Sequence, residues 1–339
     1  MSAGRILYIG NQLSNAGKTS TTIDTLSVLL QKEGFKVNTA SSVSNKLLRL
    51  LDMIRATLRY TNWSDYVLID TYSTQNFWYA ILIGKLCEKL QLKYIPILHG
   101  GALPNRLKTQ PKLLLNFLEK AHQVVSPSDY LKHAFAKAGF HNIQIIPNSI
   151  ELERYPYIKR KTFEPKLLWV RSFAEIYHPQ MPLEVLKTLQ TIFPNAQLTM
   201  VGPDKDGSLG LCQKIAEAEN LNVTFTGLLT KEQWIELAAT HDIFLNTSKF
   251  DNMPVSVLEA MALGLPIVST DVGGIPFLLT NSLNALLVSN GDVQTMCASV
   301  TELVENNGLA QDISYNARKL VEHMDWQHIK SLWNNLLSD

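Results

Sequence analysis

Between Phe244 and Pro276 the chain reads FLNTSKFDNMPVSVLEAMALGLPIVSTDVGGIP, with two carboxylates, Asp251 and Glu259, eight positions apart. The pattern predicts a strand over Ile243 to Asn246, a loop over Thr247 to Met253 and a helix over Pro254 to Leu263. A second strand follows at Pro266 to Ser269, and a Gly-Gly turn ends it. Asn252 or Asp251 is placed to cap the helix, Pro254 suits its first turn, and Gly264 followed by Pro266 closes it. Backbone amides around Asn252, Met253, Pro254 and Val255, together with the positive end of the helix dipole, are suited to a phosphate or diphosphate. Glu259 lies about one turn inside. The plainer alternative is an ordinary strand, loop and helix with Glu259 solvated.

Other candidates sit at strand ends. His99-Gly100-Gly101 follows the apolar strand Tyr94 to Leu98, and loops at the carboxyl ends of parallel strands are where such sheets bind ligands. Gly202 and Gly227 end the strands Gln197 to Val201 and Val223 to Thr226, where a missing side chain lets a nucleotide approach the backbone. After the first strand, Arg5 to Gly10, the loop NQLSNAGKTSTT has the layout of a phosphate loop. It lacks the first glycine of G-x-x-x-x-G-K-[ST], because Gln12 holds that position. Asp204-Lys205-Asp206 has the D-x-D form of a metal motif but lies in a GPDKDG turn.

The long segment resembles the family 4 retaining glycosyltransferases: an acid, seven residues, Glu, then A-M-A-x-G-x-P and a Gly-Gly turn. The resemblance implies that Glu259 holds the nucleotide ribose and that Asp251, where the family usually has Glu, faces the donor's sugar and phosphate. It implies that Arg171 grips the donor diphosphate, a task that suits a guanidinium fork, and that His99 approaches the donor sugar. Gly17 takes the place of the Gly-rich first loop over the diphosphate. A lysine normally follows the arginine by five residues; Ile176 stands there, with His178 or Lys249 as replacements that spacing does not single out. PNSIELERY resembles the P-N-G-[VI]-[DE] segment, with Ser149 for its glycine, and Asn148 and Glu151 serve either the ligand or a turn. Asn105, Arg106 and Lys108 are read either as acceptor contacts or as solvated surface.

The fold implied is α/β: two doubly wound Rossmann-like domains facing across a cleft (GT-B), with the C-terminal helix crossing back to the first domain. The boundaries read as 1–155, a polar linker at 156–165, a nucleotide-sugar domain at 166–322, and a terminal helix at 323–339. The activity implied is retaining, metal-independent transfer of a sugar from a UDP-, GDP- or other nucleoside-diphosphate-sugar, with no cofactor. The acceptor implied is a saccharide or a lipid-linked precursor, in envelope polysaccharide or glycolipid synthesis.

Composition agrees with a core-forming chain of about two domains: 339 residues, 46% hydrophobic and 18% charged. Residues 1–165 carry 21 Lys and Arg against 11 Asp and Glu, while residues 166–339 carry 10 against 19. The basic half suits an anionic membrane or acceptor, and overall neutrality argues against a nucleic-acid partner. The segment NKLLRLLDMIRATLRY, with Lys46, Arg49, Arg55 and Arg59, has two readings: a helix packing its leucines inward, or one resting on anionic lipid. Trp326 and Trp333, seven apart, read as core anchors. Cys87, Cys212 and Cys297 are isolated, which fits reduced thiols. The first apolar run is short for a signal peptide and no run spans a bilayer, so the expectation is a cytoplasmic protein, or one peripheral on the inner face of the membrane.

Two rivals stand: a P-loop phosphotransferase using Lys18 and Thr19, and a sugar-nucleotide-binding subunit that has lost catalysis, motivated by Ile176. Lys18→Ala separates the first from transfer of a sugar. A phosphotransferase loses nearly all turnover, whereas a glycosyltransferase assayed for nucleoside diphosphate release keeps most of it.

Overall fold

Short apolar runs bounded by turns form a parallel sheet in each half of the chain. The computed structural model describes residues 4–12 and 21–338. The chain divides into two units, Met1–Asn148 with Trp326–Asp339, and Ser149–Asp325.

The first unit has strands β1 (Arg5–Ile9), β2 (Lys36–Ala40), β3 (Tyr66–Thr71), β4 (Tyr94–Leu98), β5 (Val124–Ser126) and β6 (Ile143–Ile145). Between them run α1 (Thr22–Lys32), α2 (Lys46–Arg59), α3 (Asn76–Lys89), α4 (Leu103–Thr109), α5 (Pro111–Glu119) and α6 (Asp129–Ala136). All pairings are parallel, in the order β2-β1-β3-β4-β5-β6. Side chains alternate between two cores, as strand geometry requires. Leu7, Ile9, Val67 and Ile69 meet Phe77, Phe117 and Phe135 on one face; Ile6, Tyr8, Leu68 and Ile95 meet Leu26 and Leu30 on the other. The strand order reverses between β1 and β3.

The second unit repeats the plan with β7 (Lys166–Val170), β8 (Gln197–Val201), β9 (Val223–Gly227), β10 (Ile243–Asn246), β11 (Ile267–Thr270) and β12 (Leu286–Val288). Its helices are α7 (Met181–Ile192), α8 (Ser208–Ala218), α9 (Lys231–Ala238), α10 (Val255–Ala262), α11 (Ile275–Leu278), α12 (Val293–Glu305) and α13 (Asn307–Glu322). The order is β12-β11-β10-β7-β8-β9, all parallel, and it reverses between β7 and β10. Leu167, Trp169 and Leu198 pack with α7 and α12 on one face, and Leu168 and Phe244 with α10 and α13 on the other.

The last helix, α14 (Trp326–Leu336), belongs to the first unit. Trp326, Ile329, Trp333 and Leu336 enter the same core as Ile6, Tyr8 and Ile23. The Trp326 indole donates to Glu33 Oε1 at 3.1 Å, and the Lys330 ammonium lies 3.6 Å from that oxygen. The terminal segment therefore changes unit at Trp326, three residues later than position 323.

Residues 156–165, expected as the linker after a first domain of 1–155, are instead part of the second unit, which begins at Ser149. Arg160 is 9% exposed and donates to the carbonyls of His241 and Ala238 at 2.9 Å and of Gly264 at 3.0 Å, with Asp242 Oδ1 at 3.3 Å. A polar stretch reads as a linker until its cation is found to satisfy the carbonyls that end α9 and α10. Ser128 precedes α6 without a side-chain cap, while Thr230 and Gln233, spaced T-x-x-Q in the sequence, form the capping box of α9.

Beside Arg160, His241 is 5% exposed, its Nδ1 2.9 Å from the Leu237 carbonyl and its Nε2 2.8 Å from Thr199 Oγ1. Burial lowers its pKa. An unfolded histidine takes its proton near pH 6.5, so the folded state loses stability as pH falls below that value toward the depressed one. Denaturation midpoints between pH 7.5 and 5 should fall more steeply for the wild type than for His241→Gln.

Candidate functional site

In a doubly wound sheet the crevice lies where the strand order reverses, at the carboxyl ends of the two strands flanking the reversal. In the second unit those strands are β7 and β10, so Arg171 follows one and the loop Thr247 to Pro254 follows the other. The Arg171 guanidinium forms an ion pair with Asp251, side chains 13% and 12% exposed. Its Nη2 also lies 3.4 Å from Asn246 Oδ1, and its plane covers the Tyr177 ring at 5.0 Å. Arg171 Nε is buried and makes no hydrogen bond.

The loop carrying Asp251 is held from beneath by buried hydroxyls. Trp169 Nε1 donates to Thr247 Oγ1 at 3.0 Å, Thr270 Oγ1 donates to the Ser248 carbonyl at 2.7 Å, and Ser248 Oγ lies 3.0 Å from Asp251 Oδ2. The Gly-Gly turn supports it from the side. Gly274 donates its amide to the Asp251 carbonyl at 3.0 Å, and a Cβ at Gly273 or Gly274 would stand 2.2 Å from Asp251 O or 1.9 Å from Asn252 O. Gly202 is similar: a Cβ there would lie 1.8 Å from the Arg171 carbonyl, at φ +146. Its side chain is missing so that the ends of β7 and β8 can touch, whereas Gly227 faces open space.

Helix α10 begins at Val255 with Pro254 in the N-cap position and no side-chain cap. This corrects the expectation that Asn252 or Asp251 caps it. The Asn252 amide donates to Asp251 Oδ1 at 3.0 Å and Pro254 has no N–H, so among the four positions expected to line the anion site, Val255 opens the helix at the surface, 38% exposed. Asn252 and Met253 are buried. Ser256 Oγ, one residue into the helix, is buried without a partner.

Glu259 is 4% exposed, not solvated. Its Oε1 accepts from the Tyr155 hydroxyl at 2.7 Å and forms an ion pair with Lys231. Burial, then the charge of Glu259, raises the Tyr155 pKa, so the phenol stays a donor. Neither partner was marked by sequence. Lys231 did carry a signal: a cation as the first residue of a helix opposes the dipole, which makes a compensating acid the natural explanation. Lys249 stands by Ile176, its amide donating to the Ile176 carbonyl at 2.8 Å and its ammonium 3.3 Å from Glu175 Oε1. His178 has its pKa lowered by burial and by Lys249.

In the first unit His99 Nε2 lies 2.9 Å from Asp70 Oδ1, which also accepts from the Tyr8 hydroxyl at 2.8 Å, and Tyr72 stacks on the imidazole at 5.3 Å. Burial and Asp70 hold the Tyr8 pKa well above its ordinary value, so this phenol too remains a donor. Asp70 Oδ2 is buried without a partner. Arg106, weighed as an acceptor contact, donates twice to the Ser73 carbonyl at 3.0 and 2.8 Å and covers Phe77 at 4.8 Å. Gly17, Lys18 and Thr19 lie outside the described residues.

Asp204 and Asp206 organise the turn before α8. Asp204 Oδ1 accepts from the Gly207 amide at 3.0 Å, and Asp206 from Ser208 Oγ at 2.5 Å and the Glu175 amide at 2.8 Å. Among the described residues no three His, Cys, Asp or Glu side chains gather as a metal site, and no helix is long and apolar enough to cross a membrane. The three cysteines are free and buried, and burial pushes the thiols of Cys87 and Cys212 up to about 12.

Two successive doubly wound units, each a parallel six-stranded sheet flanked by helices, have the GT-B architecture of glycosyltransferases. Residues 25–154 match the family described as Glycosyltransferase Family 4, and residues 157–320 match Glycosyl transferases group 1. The chain belongs to these family 4, group 1 glycosyltransferases. The amylovoran biosynthesis glycosyltransferase AmsK of Erwinia amylovora is 25% identical over 336 residues, 92% of this chain and 80% of that protein. N-acetyl-alpha-D-glucosaminyl L-malate synthase of Bacillus anthracis is 26% identical over 250 residues, 68% of this chain and 63% of that one. Among solved structures, sucrose-phosphate synthase from Thermosynechococcus elongatus superposes with a TM-score of 0.82 at 16% identity, covering 99% of this chain and 100% of the other. Anabaena HepE in complex with UDP and glucose gives 0.76 at 17%, covering 99% of each.

The contact at Gly202 is a direct test of how Arg171 is placed. Gly202→Ala forces its Cβ against the Arg171 carbonyl and should destabilise the protein by about 1–3 kcal/mol. Nucleoside diphosphate binding, followed by calorimetry under folded conditions, should weaken in the same variant.

Proposed function

We propose that the protein is a retaining, metal-independent transferase that takes a sugar from a nucleoside-diphosphate donor to a saccharide or lipid-linked acceptor in envelope polysaccharide or glycolipid synthesis. The observation that carries this is the Arg171–Asp251 pair at the start of α10, with Arg171 Nε buried and unpartnered. A departing nucleoside diphosphate needs positive potential at the moment its charge develops. The Arg171 guanidinium, exchanging Asp251 for phosphate, and an uncapped helix terminus supply it, and electrostatic stabilisation of this kind is worth several kcal/mol in typical active sites. The HepE complexes with UDP and with UDP and glucose, and the relative acting in amylovoran biosynthesis, support the donor class and the polysaccharide setting.

Glu259, anchored by Tyr155 and Lys231, is assigned to the ribose hydroxyls, and Asp251 to the sugar beside the diphosphate. His99, held by Asp70 through Nε2, is assigned to sugar hydroxyls. In the step itself the bond from the anomeric carbon to phosphate oxygen breaks, and the acceptor oxygen bonds to that carbon on the same face. The acceptor's proton passes to the departing phosphate oxygen.

Glu259→Ala should weaken donor binding at least tenfold by calorimetry, and unchanged affinity contradicts the ribose assignment. Asp251→Asn should act in the opposite sense on the product. It releases Arg171 from its acid, so nucleoside diphosphate binds more tightly while transfer falls.

A further inference from the structure

We infer that the outer faces of α2 and α3 form a docking surface for an anionic phospholipid bilayer. The two readings of α2 differ in where its leucines point. Its buried residues are Arg49, Met53 and Thr57, whereas Leu47, Leu48, Leu51 and Leu58 are 76%, 56%, 60% and 53% exposed. At 100° per residue Leu47, Leu51 and Leu58 fall within about 40° of one another, with Leu48, Arg55 and Arg59 completing the face. Arg49 is not part of it: its guanidinium is turned inward to the carbonyls of Val43 and Ser44 at 2.7 and 2.8 Å.

The neighbouring helix repeats the pattern. The α3 hydroxyl of Tyr79 donates to the Lys46 carbonyl of α2 at 3.0 Å, joining the two helices at that end. The solvent side of α3 is a stripe of Trp78, Leu82, Lys85 and Lys89, spaced i, i+4, i+7, i+11, with Trp78 42% and Leu82 45% exposed. At the far end of α2, Arg59 covers Tyr60, and Tyr60 packs on Trp63 at 5.3 Å. Leucine and tryptophan interleaved with lysine and arginine is the composition that lies in a headgroup region, apolar side chains in the acyl boundary and cations at the phosphates. A duplex or an acidic protein surface gives the exposed leucines nothing to enter. A second copy meeting the same face would set Arg55, Arg59 and Lys85 against themselves, and a bilayer rich in anionic lipid meets both requirements.

The test is flotation of the full chain with vesicles of phosphatidylcholine alone or with 30% phosphatidylglycerol. The protein should float with the anionic vesicles, less so as salt rises, and should ignore the neutral ones. Replacing Arg55 and Arg59 together by Ala should reduce partition on the order of 30-fold, from about 1 kcal/mol per basic residue. Leu47→Ser with Leu51→Ser and Leu58→Ser should abolish it at an unchanged melting temperature, since those side chains are already in water. Trp78 emission should shift to the blue on binding and be quenched by brominated lipid, a response that Trp78→Phe removes. The inference is overturned by failure to float with anionic vesicles, by equal flotation with neutral ones, by leucine variants that bind like wild type, or by a leucine-dependent dimer in sedimentation that ignores vesicles. The assay contains neither donor nor acceptor, so it can fail or succeed independently of the transferase reading.

Discussion

The part-buried Arg171–Asp251 pair is the contact around which the end of β7 and the loop before α10 are arranged. Taking a guanidinium and a carboxylate out of water is costly, and losing one partner strands the other. The surroundings are built to prevent that. Asn246 Oδ1 and Ser248 Oγ sit beside the pair, the Asn252 amide neutralises part of Asp251, and Tyr177 shields the guanidinium face. The two closest backbone approaches, at Gly202 and Gly274, both press toward these residues. With each acid paired to a cation, Arg171 to Asp251 and Lys231 to Glu259, the resting site is close to charge-balanced.

How much of this could be read from sequence depended on whether the signal was local. The strands were legible because each is a short apolar run ended by a turn residue, and alternating strands and helices gave the parallel, doubly wound architecture. The capping box of α9 was legible for the same reason. Arg160 was not: its role is fixed by carbonyls about 80 to 100 positions away, so a polar, proline-flanked stretch passed for a linker. Tyr155 and Lys231 were missed for a related reason, since Glu259 gathers them across 104 and 28 positions. The leucines of α2 misled in the other direction. Helical periodicity shows that a face is apolar but not whether the protein or something else covers it.

In the first unit the polar arrangement is buried where one expects only core. Tyr8 and Asp70 come from β1 and β3, the strands that flank the reversal point, and His99 ends the adjacent β4. A Cβ at Gly10 would lie 2.5 Å from Asp70 Oδ2, so the glycine after β1 leaves room for that carboxylate. The imidazole is thereby fixed in plane, between Asp70 at its edge and Tyr72 on its face.

The absence of a second cation five residues after Arg171 bears on how the site tolerates its own acids. Ile176 is 42% exposed, so its position offers no buried environment for a charge. Lys249 reaches the same backbone but meets Glu175, and His178 is pushed toward its neutral form. An added lysine at 176 would therefore stand among Lys249 and His178 and raise local positive charge without a new acid to balance it. Asp251, one carbon shorter than the usual Glu, lies close enough to be held by the Ser248 hydroxyl and the Asn252 amide as well as by Arg171. Two hydrogen bonds that lower the demand on the arginine and one cation fewer are compensating changes. Both leave Asp251 held by three partners and Arg171 Nε buried without one.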